Sequence, residues 1–365
     1  MYKHIERIKT GYIVARSFVI QHRRHLPVVA LITGFLLDSL TLNRLDQVFD
    51  NLVITFYLVV AGGVIAFLNY KEERMVTPSL WWTVILQFSF GNLASALFVI
   101  FGKSGTLVGS WPFLLVFLLL LLGNEFLRGH YTRLRLNIAL FYLFLLSYLV
   151  LVIPVLARAI GPEIFIVSGL CSLMVMGVWF GIFYMVAPLR IAEDRKQLLT
   201  VVALVFVGFN IFYFLHLVPP APLVLKDIGI YHSVQRTTED LYTVSFEGGV
   251  WYQPFKRSDN VFHLETAHSA FCFSSVFAPA RISAPIVHRW EYFDTENKKW
   301  IMVADIAFPI TGGRNGGFRG YSELDSLFVG KWRCSVETER GELIGRRSFT
   351  VVDGGGSSML ETAFR

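Results

Sequence analysis

Apolar residues change their rhythm once along this chain, near residue 218. Before that point they come in unbroken runs close to the roughly 20 residues needed to cross a bilayer, at 26–42, 48–69, 80–101, 107–123, 135–156, 164–187 and 198–217. These runs predict an α-helical membrane domain of about seven transmembrane helices over 26–217; the first run is short and contains Asp38. After a proline-rich hinge at 218–222, apolar and polar residues alternate with period two. The alternation predicts strands at Leu241–Phe246, Val250–Phe255, Val261–Leu264, Ala270–Phe277, Pro285–Phe293, Trp300–Ile310, Lys331–Thr338 and Leu343–Val352. Asp294 to Lys299 and Glu339-Arg340-Gly341 read as hairpin turns. Short strands at this spacing predict an all-β, Ig-like β-sandwich over 223–352, and 353–365, which opens on Asp-Gly-Gly-Gly-Ser-Ser, is expected to be a flexible tail.

Charge orients these elements. Residues 1–25 carry Lys3, Arg7, Lys9, Arg16, Arg23 and Arg24 among Ile5, Ile8, Tyr12 and Ile13, the pattern of a basic amphipathic segment lying on a membrane surface. It is too long, and lacks a small-residue cleavage site, for a removable signal peptide. With this segment inside, the inner connections hold fourteen Lys and Arg, and the outer ones only Arg44, Lys103 and Arg158. Such a bias predicts a bacterial inner-membrane protein with a cytoplasmic N-terminus and, after an odd number of spans, a periplasmic β domain. Mean hydropathy of +0.53 and 54% apolar residues agree with membrane insertion. A pI near 9.2 would suit a nucleic-acid binder. However, residues 1–217 hold 17 Lys and Arg against 10 Asp and Glu, and 218–365 hold 16 against 17. The surplus belongs to the membrane half, so topology explains it and no nucleic-acid partner is expected.

Of three cysteines, Cys171 lies in an apolar run, while Cys272 and Cys334 lie in strand-like alternations. The latter two read as buried thiols, or as a disulfide if the domain is exported; no CxxC or Cys/His spacing points to a metal, and no cofactor is expected. Gly62 with Ala66, Gly91 with Ser95, and Gly177 with Gly181 are spaced to let helix backbones approach closely.

Two stretches resemble an uncharacterised proteobacterial membrane protein family. In the membrane half they are Gly34-Phe35-x-x-Asp38-x-x-Thr41-Leu42-x-Arg44-x-Asp46 and Gly123-Asn124-Glu125-Phe126. In the distal half they are His288-Arg289-Trp290, Gly312-Gly313-Arg314-x-x-Gly317-Phe318-Arg319-x-Tyr321-Ser322, and Trp332-Arg333-x-x-Val336-x-Thr338-x-x-Gly341-x-x-Ile344-Gly345-Arg346-x-x-Phe349-x-Val351. The distal residues are similar to a domain of unknown function at the end of those proteins. The resemblance implies an inner-membrane protein with a periplasmic domain and brings no activity with it.

Candidate chemistry is sparse. Asp38, Arg44 and Asp46, joined by His216, read either as a polar site facing the periplasm or as charges that fix a short helix at the interface. Glycines of 312–320 with Arg314 and Arg319 read as a strand-joining bulge or as an anion nest, with Tyr321, Arg289 and Arg333 nearby in the pattern. Where Trp290, Trp300 and Trp332 adjoin cations, strand alternation predicts a buried indole beside a solvated base. Gly102-Lys103-Ser104-Gly105 matches the GxSG pattern of rhomboid-type proteases, with His216 as the one histidine in a predicted span, although the histidine context of that family is absent. No catalytic arrangement assembles in the β domain. The expected function is therefore a non-enzymatic envelope protein that presents a periplasmic module to an anionic or glycan-type ligand, a lipid headgroup or a protein partner. A transporter or flippase using Asp38 is the alternative, and an intramembrane serine hydrolase using Ser104 and His216 the third.

Overall fold

The computed structural model describes residues 47–127, 133–220, 222–237, 241–247, 258–264, 269–279, 282–311, 317–325, 327–354 and 360–365, together with Phe35 and Leu36. The basic segment 1–25, nearly all of the first expected span, Asp38, Arg44, Asp46 and Arg314 lie outside them. Six helices are described where seven spans were expected: α1 (Val48–Glu73), α2 (Leu80–Ser104), α3 (Leu107–Leu127), α4 (Leu134–Ala157), α5 (Pro162–Val186) and α6 (Pro188–Phe214). All except α3 are long and apolar enough to cross a membrane along their described residues.

Helix α4 is the hub of the bundle: it touches α1, α2, α5 and α6, and it is the most enclosed of the long helices. On α1 the inward stripe Ile54, Leu58, Ala61, Ile65 recurs at three- and four-residue steps. Gly62 on that stripe admits two aromatic neighbours; a Cβ there would stand 2.8 Å from the Trp179 indole nitrogen and 3.1 Å from the Phe141 ring. Gly62→Val should therefore cost roughly 1–3 kcal/mol through overpacking. The thermal midpoint of the detergent-solubilised chain reads this cost, and Gly63→Ala, which faces open space, should leave it unchanged. By contrast, Gly177 and Gly181 have nothing within 4 Å of where a Cβ would stand, so among the described residues this pair is not a packing face.

Helix α6 begins ten residues before the expected 198. Pro188 opens it, since a proline at the first position gives up an N–H that has no acceptor there, and its polar first turns are held by ion pairs, Arg190 to Glu72 at 2.5 Å and Asp194 to Arg135 at 2.9 Å. At its other end His216 adopts a left-handed conformation, φ 58°, and the Leu217 N–H donates back to the Phe212 carbonyl. His216 is thus a helix-end residue.

Eleven strands follow among the described residues: β1 (Val224–Tyr231), β2 (Ser233–Arg236), β3 (Tyr242–Glu247), β4 (Val261–Leu264), β5 (Ala270–Phe277), β6 (Ser283–Asp294), β7 (Lys299–Thr311), β8 (Phe318–Leu324), β9 (Gly330–Thr338), β10 (Leu343–Asp353) and β11 (Leu360–Phe364). A five-stranded sheet, β4-β10-β9-β6-β7, is antiparallel except for the parallel β4–β10 pair. It encloses a core with the sheet β1-β5-β8, to which Cys272, Trp290, Trp332 and Phe349 contribute. A Cys272–Cys334 disulfide joins the two sheets, so the free-thiol reading gives way to the bridge. The third sheet, β11-β3-β2, packs Val234, Val244 and Phe246 on Tyr231 and Phe273, forming a layer that strand alternation did not reveal.

Three further expectations are corrected. Residues 360–364 of the supposed tail form β11, paired with β3 from Leu360↔Glu247 to Phe364↔Thr243; beyond the glycines, their alternation suffices for a strand. Phe318 to Leu324, read as part of a glycine loop, is β8, paired along β5, and Gly320 makes room for the Phe308 ring. Trp290 and Trp332 are buried as expected, whereas Trp300 is only half-buried and carries the Arg333 guanidinium 4.1 Å above its ring. The candidate strand at 250–255 lies outside the described residues.

Candidate functional site

The arginines singled out in the sequence do not form one site. Arg289 grips Asp305 through two hydrogen bonds, 2.9 and 3.1 Å, and lies 2.9 Å from Glu337; the Asp305 hydrogen bonds hold its guanidinium above the ordinary range. Arg333 grips Glu291 at 2.5 and 2.7 Å. Both lie on the face of the five-stranded sheet that looks away from the core, and each is engaged by a carboxylate. Arg319 and Tyr321 belong to β8 in the other sheet, where the Arg319 carbonyl accepts from the Tyr242 hydroxyl at 3.4 Å and Tyr321, 40% exposed, packs edge-on against Tyr242. In the bundle, the Ser104 hydroxyl is buried and donates to the Ile100 carbonyl at 3.0 Å, while His216 is exposed. No hydrogen bond joins them among the described residues.

Two buried polar clusters arise from residues far apart in sequence. His288 spans Ser274 Oγ at 2.7 Å and Ser322 Oγ at 2.8 Å, and Ser322 also accepts from the Trp290 indole at 3.0 Å. Burial pushes this imidazole down to about 3, so it is neutral. His288, Cys272 and Cys334 place their donor atoms within 4.8 Å of one another, but sulfurs bonded to each other offer no thiolate, so the trio does not suit a metal. In the second cluster Glu247 takes His232 at 3.1 Å on one oxygen and the His263 imidazole at 2.9 Å on the other. Burial alone would raise the Glu247 carboxyl; hydrogen bonds from the His263 amide and from both imidazoles outweigh it and hold the carboxyl below its usual value. These histidines lie 15 and 16 residues from Glu247, a separation that carries no local signal. The cluster ties the β1–β2 turn to β3 and β4.

The feature that joins the two halves is a cavity of about 170 Å³ where the bundle meets the sheets. Its bundle side is apolar, formed by Val150 and Pro154 near the end of α4, Pro162 and Phe165 at the start of α5, and the hinge prolines Pro219 and Pro220. Its sheet side sets Pro285 of β6 beside the β9–β10 turn, which makes that side polar and ionic through Thr338, Glu339, Arg340 and Glu342. Tyr213 of α6 stands between, stacked on Phe165 with ring centroids 3.5 Å apart. The Arg340 guanidinium lies 4.4 Å above the Tyr213 ring and donates to its hydroxyl. Close packing extends along the junction: a Cβ on Gly105 would stand 2.9 Å from Pro219, and one on Gly109 3.6 Å from Leu343.

Glu342 is buried in this wall, 3.3 Å from Arg340 and accepting from the Thr338 hydroxyl at 3.1 Å. Burial raises its carboxyl, with Arg340 opposing. A carboxyl raised on folding binds its proton more tightly in the folded state, so stability is lost as pH rises from the ordinary carboxyl range through the raised value. Glu342→Gln should therefore raise the melting temperature at pH 7, with the gain shrinking as the sample is acidified toward pH 4. A gain that stayed constant with pH would show that ionisation of Glu342 is not the cause.

Residues 283–351, from β6 into β10, match the family described as Protein of unknown function (DUF2914). No curated protein matches the chain. Among solved structures, Pseudomonas fluorescens alkylpurine DNA glycosylase AlkC bound to DNA containing an abasic site analog aligns over 85% of this chain and 100% of that chain, at 10% identity and a TM-score of 0.20. A TM-score that low carries no argument about fold or function.

Proposed function

We propose that this chain is a non-enzymatic inner-membrane protein whose Ig-like β-sandwich rests on the periplasmic end of the helical bundle and binds a ligand in the cavity between them. That cavity carries the reading, because each half supplies part of its wall and a bound molecule would touch both. The positive-inside bias supports a periplasmic position for the sandwich. So does the Cys272–Cys334 bridge, of a kind that persists in oxidising compartments. The Ig-like assignment draws on that bridge between sheets and on buried Trp290, paired in register with Cys334. The ligand is placed at the junction and not at the glycine and arginine segment, because Arg289 and Arg333, the cations expected to assist that segment, are engaged by carboxylates, and Arg314 lies outside the described residues.

The test is native mass spectrometry of the full chain extracted with its surrounding membrane, comparing wild type with Ile160→Trp, a substitution at a wall residue between α4 and α5 that fills the cavity. A molecule of any class retained by wild type and lost from Ile160→Trp supports the reading. Identical spectra refute it.

A second reading, transport, was expected at Asp38, which lies outside the described residues; it rests instead on Asp50, 3% exposed in the first turn of α1. Buried ionisable groups of membrane proteins tend to line substrate paths. Asp50→Asn should then abolish proton movement in dye-loaded vesicles. Equal proton movement with and without the protein removes this reading.

A further inference from the structure

Resting on the reading of the junction as the ligand site, we infer that its occupant is a phospholipid of the surrounding membrane, held by its headgroup, with phosphate on Arg340 and the headgroup amine on Glu339. Three features of the cavity lead there. The first is its level. Its bundle side is built from the ends of α4 and α6 and the start of α5, so it sits where the helices leave the apolar layer. Just beyond it, Leu156, Ile166 and Phe214 present exposed apolar side chains, a surface along which acyl chains can lie while the headgroup enters.

The second feature is the division of the wall. One side offers hydrocarbon and the other a cation flanked by carboxylates, which matches a molecule that is apolar at one end and dipolar at the other. A guanidinium has five N–H donors, and the contacts to Tyr213 and Glu342 leave others to meet a phosphate oxygen. Glu339 is exposed beside Arg340 on the same turn, placed for an ammonium group. A purely anionic headgroup would leave Glu339 facing negative charge, so the arrangement favours a zwitterion.

The third feature is rigidity. Pro154, Pro162, Pro219, Pro220 and Pro285 all line the space. Fixed φ angles make the wall preformed, so little conformational freedom is lost on binding.

The test uses the full chain in nanodiscs of phosphatidylethanolamine, phosphatidylglycerol or phosphatidylcholine, with retained lipid counted by native mass spectrometry. Wild type should hold one phosphatidylethanolamine per chain after delipidation. Arg340→Gln should lower retention about tenfold, as expected for a charged hydrogen bond; Arg340→Lys, which keeps the charge, should retain part of it. Glu339→Gln should weaken phosphatidylethanolamine and strengthen phosphatidylglycerol, whose negative charge Glu339 no longer opposes. Displacement by millimolar inorganic phosphate would identify a phosphate site with no need for the lipid and overturn the inference. So would equal retention of lipid by wild type, Arg340→Gln and Ile160→Trp. If a non-lipid molecule is retained and is lost in Ile160→Trp, the junction remains a ligand site and only the lipid is wrong. If nothing is retained by any form, both readings fall.

Discussion

Replacing Cys272 and Cys334 together by alanine should destabilise the β domain by about 4 kcal/mol, the chain-entropy value for a bridge across 62 residues. Melting should fall by roughly 10 °C or more for a domain of this size. The bridge joins β5 in one sheet to β9 in the other, so without it the unfolded chain regains the freedom of everything between, including the long β6–β7 hairpin. Both sulfurs are fully buried against Trp290 and Trp332. A reductant should consequently act on the intact domain only when it opens, and its effect should appear as a shifted melt and not as immediate loss. Scanning calorimetry of wild type with and without reductant, beside the double variant, checks this. Coincident melts for all three samples would show that the bridge contributes nothing.

Acid should weaken the same domain through His288. Its imidazole is held down to about 3 by burial, against an ordinary value of 6.5. Above pH 6.5 folded and unfolded forms are both neutral and stability is at its full value. As pH drops below 6.5 the unfolded chain takes a proton that the folded core refuses. Stability then falls by about 1.4 kcal/mol per pH unit until the folded value is reached. His288→Gln keeps hydrogen-bonding groups between Ser274 and Ser322 but cannot be protonated, so it should be less stable than wild type at pH 7 and should lose less between pH 6.5 and 5. The readout is the difference between the two melting curves as a function of pH, which cancels the carboxylates common to both. Parallel curves across that range would mean that His288 is not the group that titrates.

How far the sequence could be read depended on whether the signal was local. Each described helix coincides with an apolar run because a span needs one uninterrupted stretch, and a helix bonds within itself. The start of α6 escaped because Arg190 to Gln197 is polar, and only the ion pairs to Glu72 and Arg135 on other helices show why it remains helical. Strands β3, β4, β5, β6, β7, β9 and β10 were visible through alternation, whereas β1 is interrupted by a register shift after Leu225 and β8 by Gly320. The grouping of strands into sheets was not visible, since pairings such as β1 with β5 and β11 with β3 join distant residues. The candidate sites suffered most from this. Arg289 and Arg333 looked like free cations until Asp305 and Glu291 arrived from neighbouring strands, and the junctional cavity draws its wall from α4, α5, α6, the hinge and the β9–β10 turn.

The tie between α6 and the sheets has a mechanical side. Nine residues separate Phe214 from Val224, and among them Pro219 and Pro220 are buried in the junction, with Gly105 close against the first. Strand β6 starts at that junction, where Pro285 lines the cavity, and runs roughly 30 Å to the hairpin at Asp294, at about 3.3 Å per residue. The β domain is thus a stiff arm mounted on a short, braced pivot. A sideways pull on its far hairpin reaches the last turn of α6 as torque, through Tyr213 and Arg340, with little slack chain in between to absorb it.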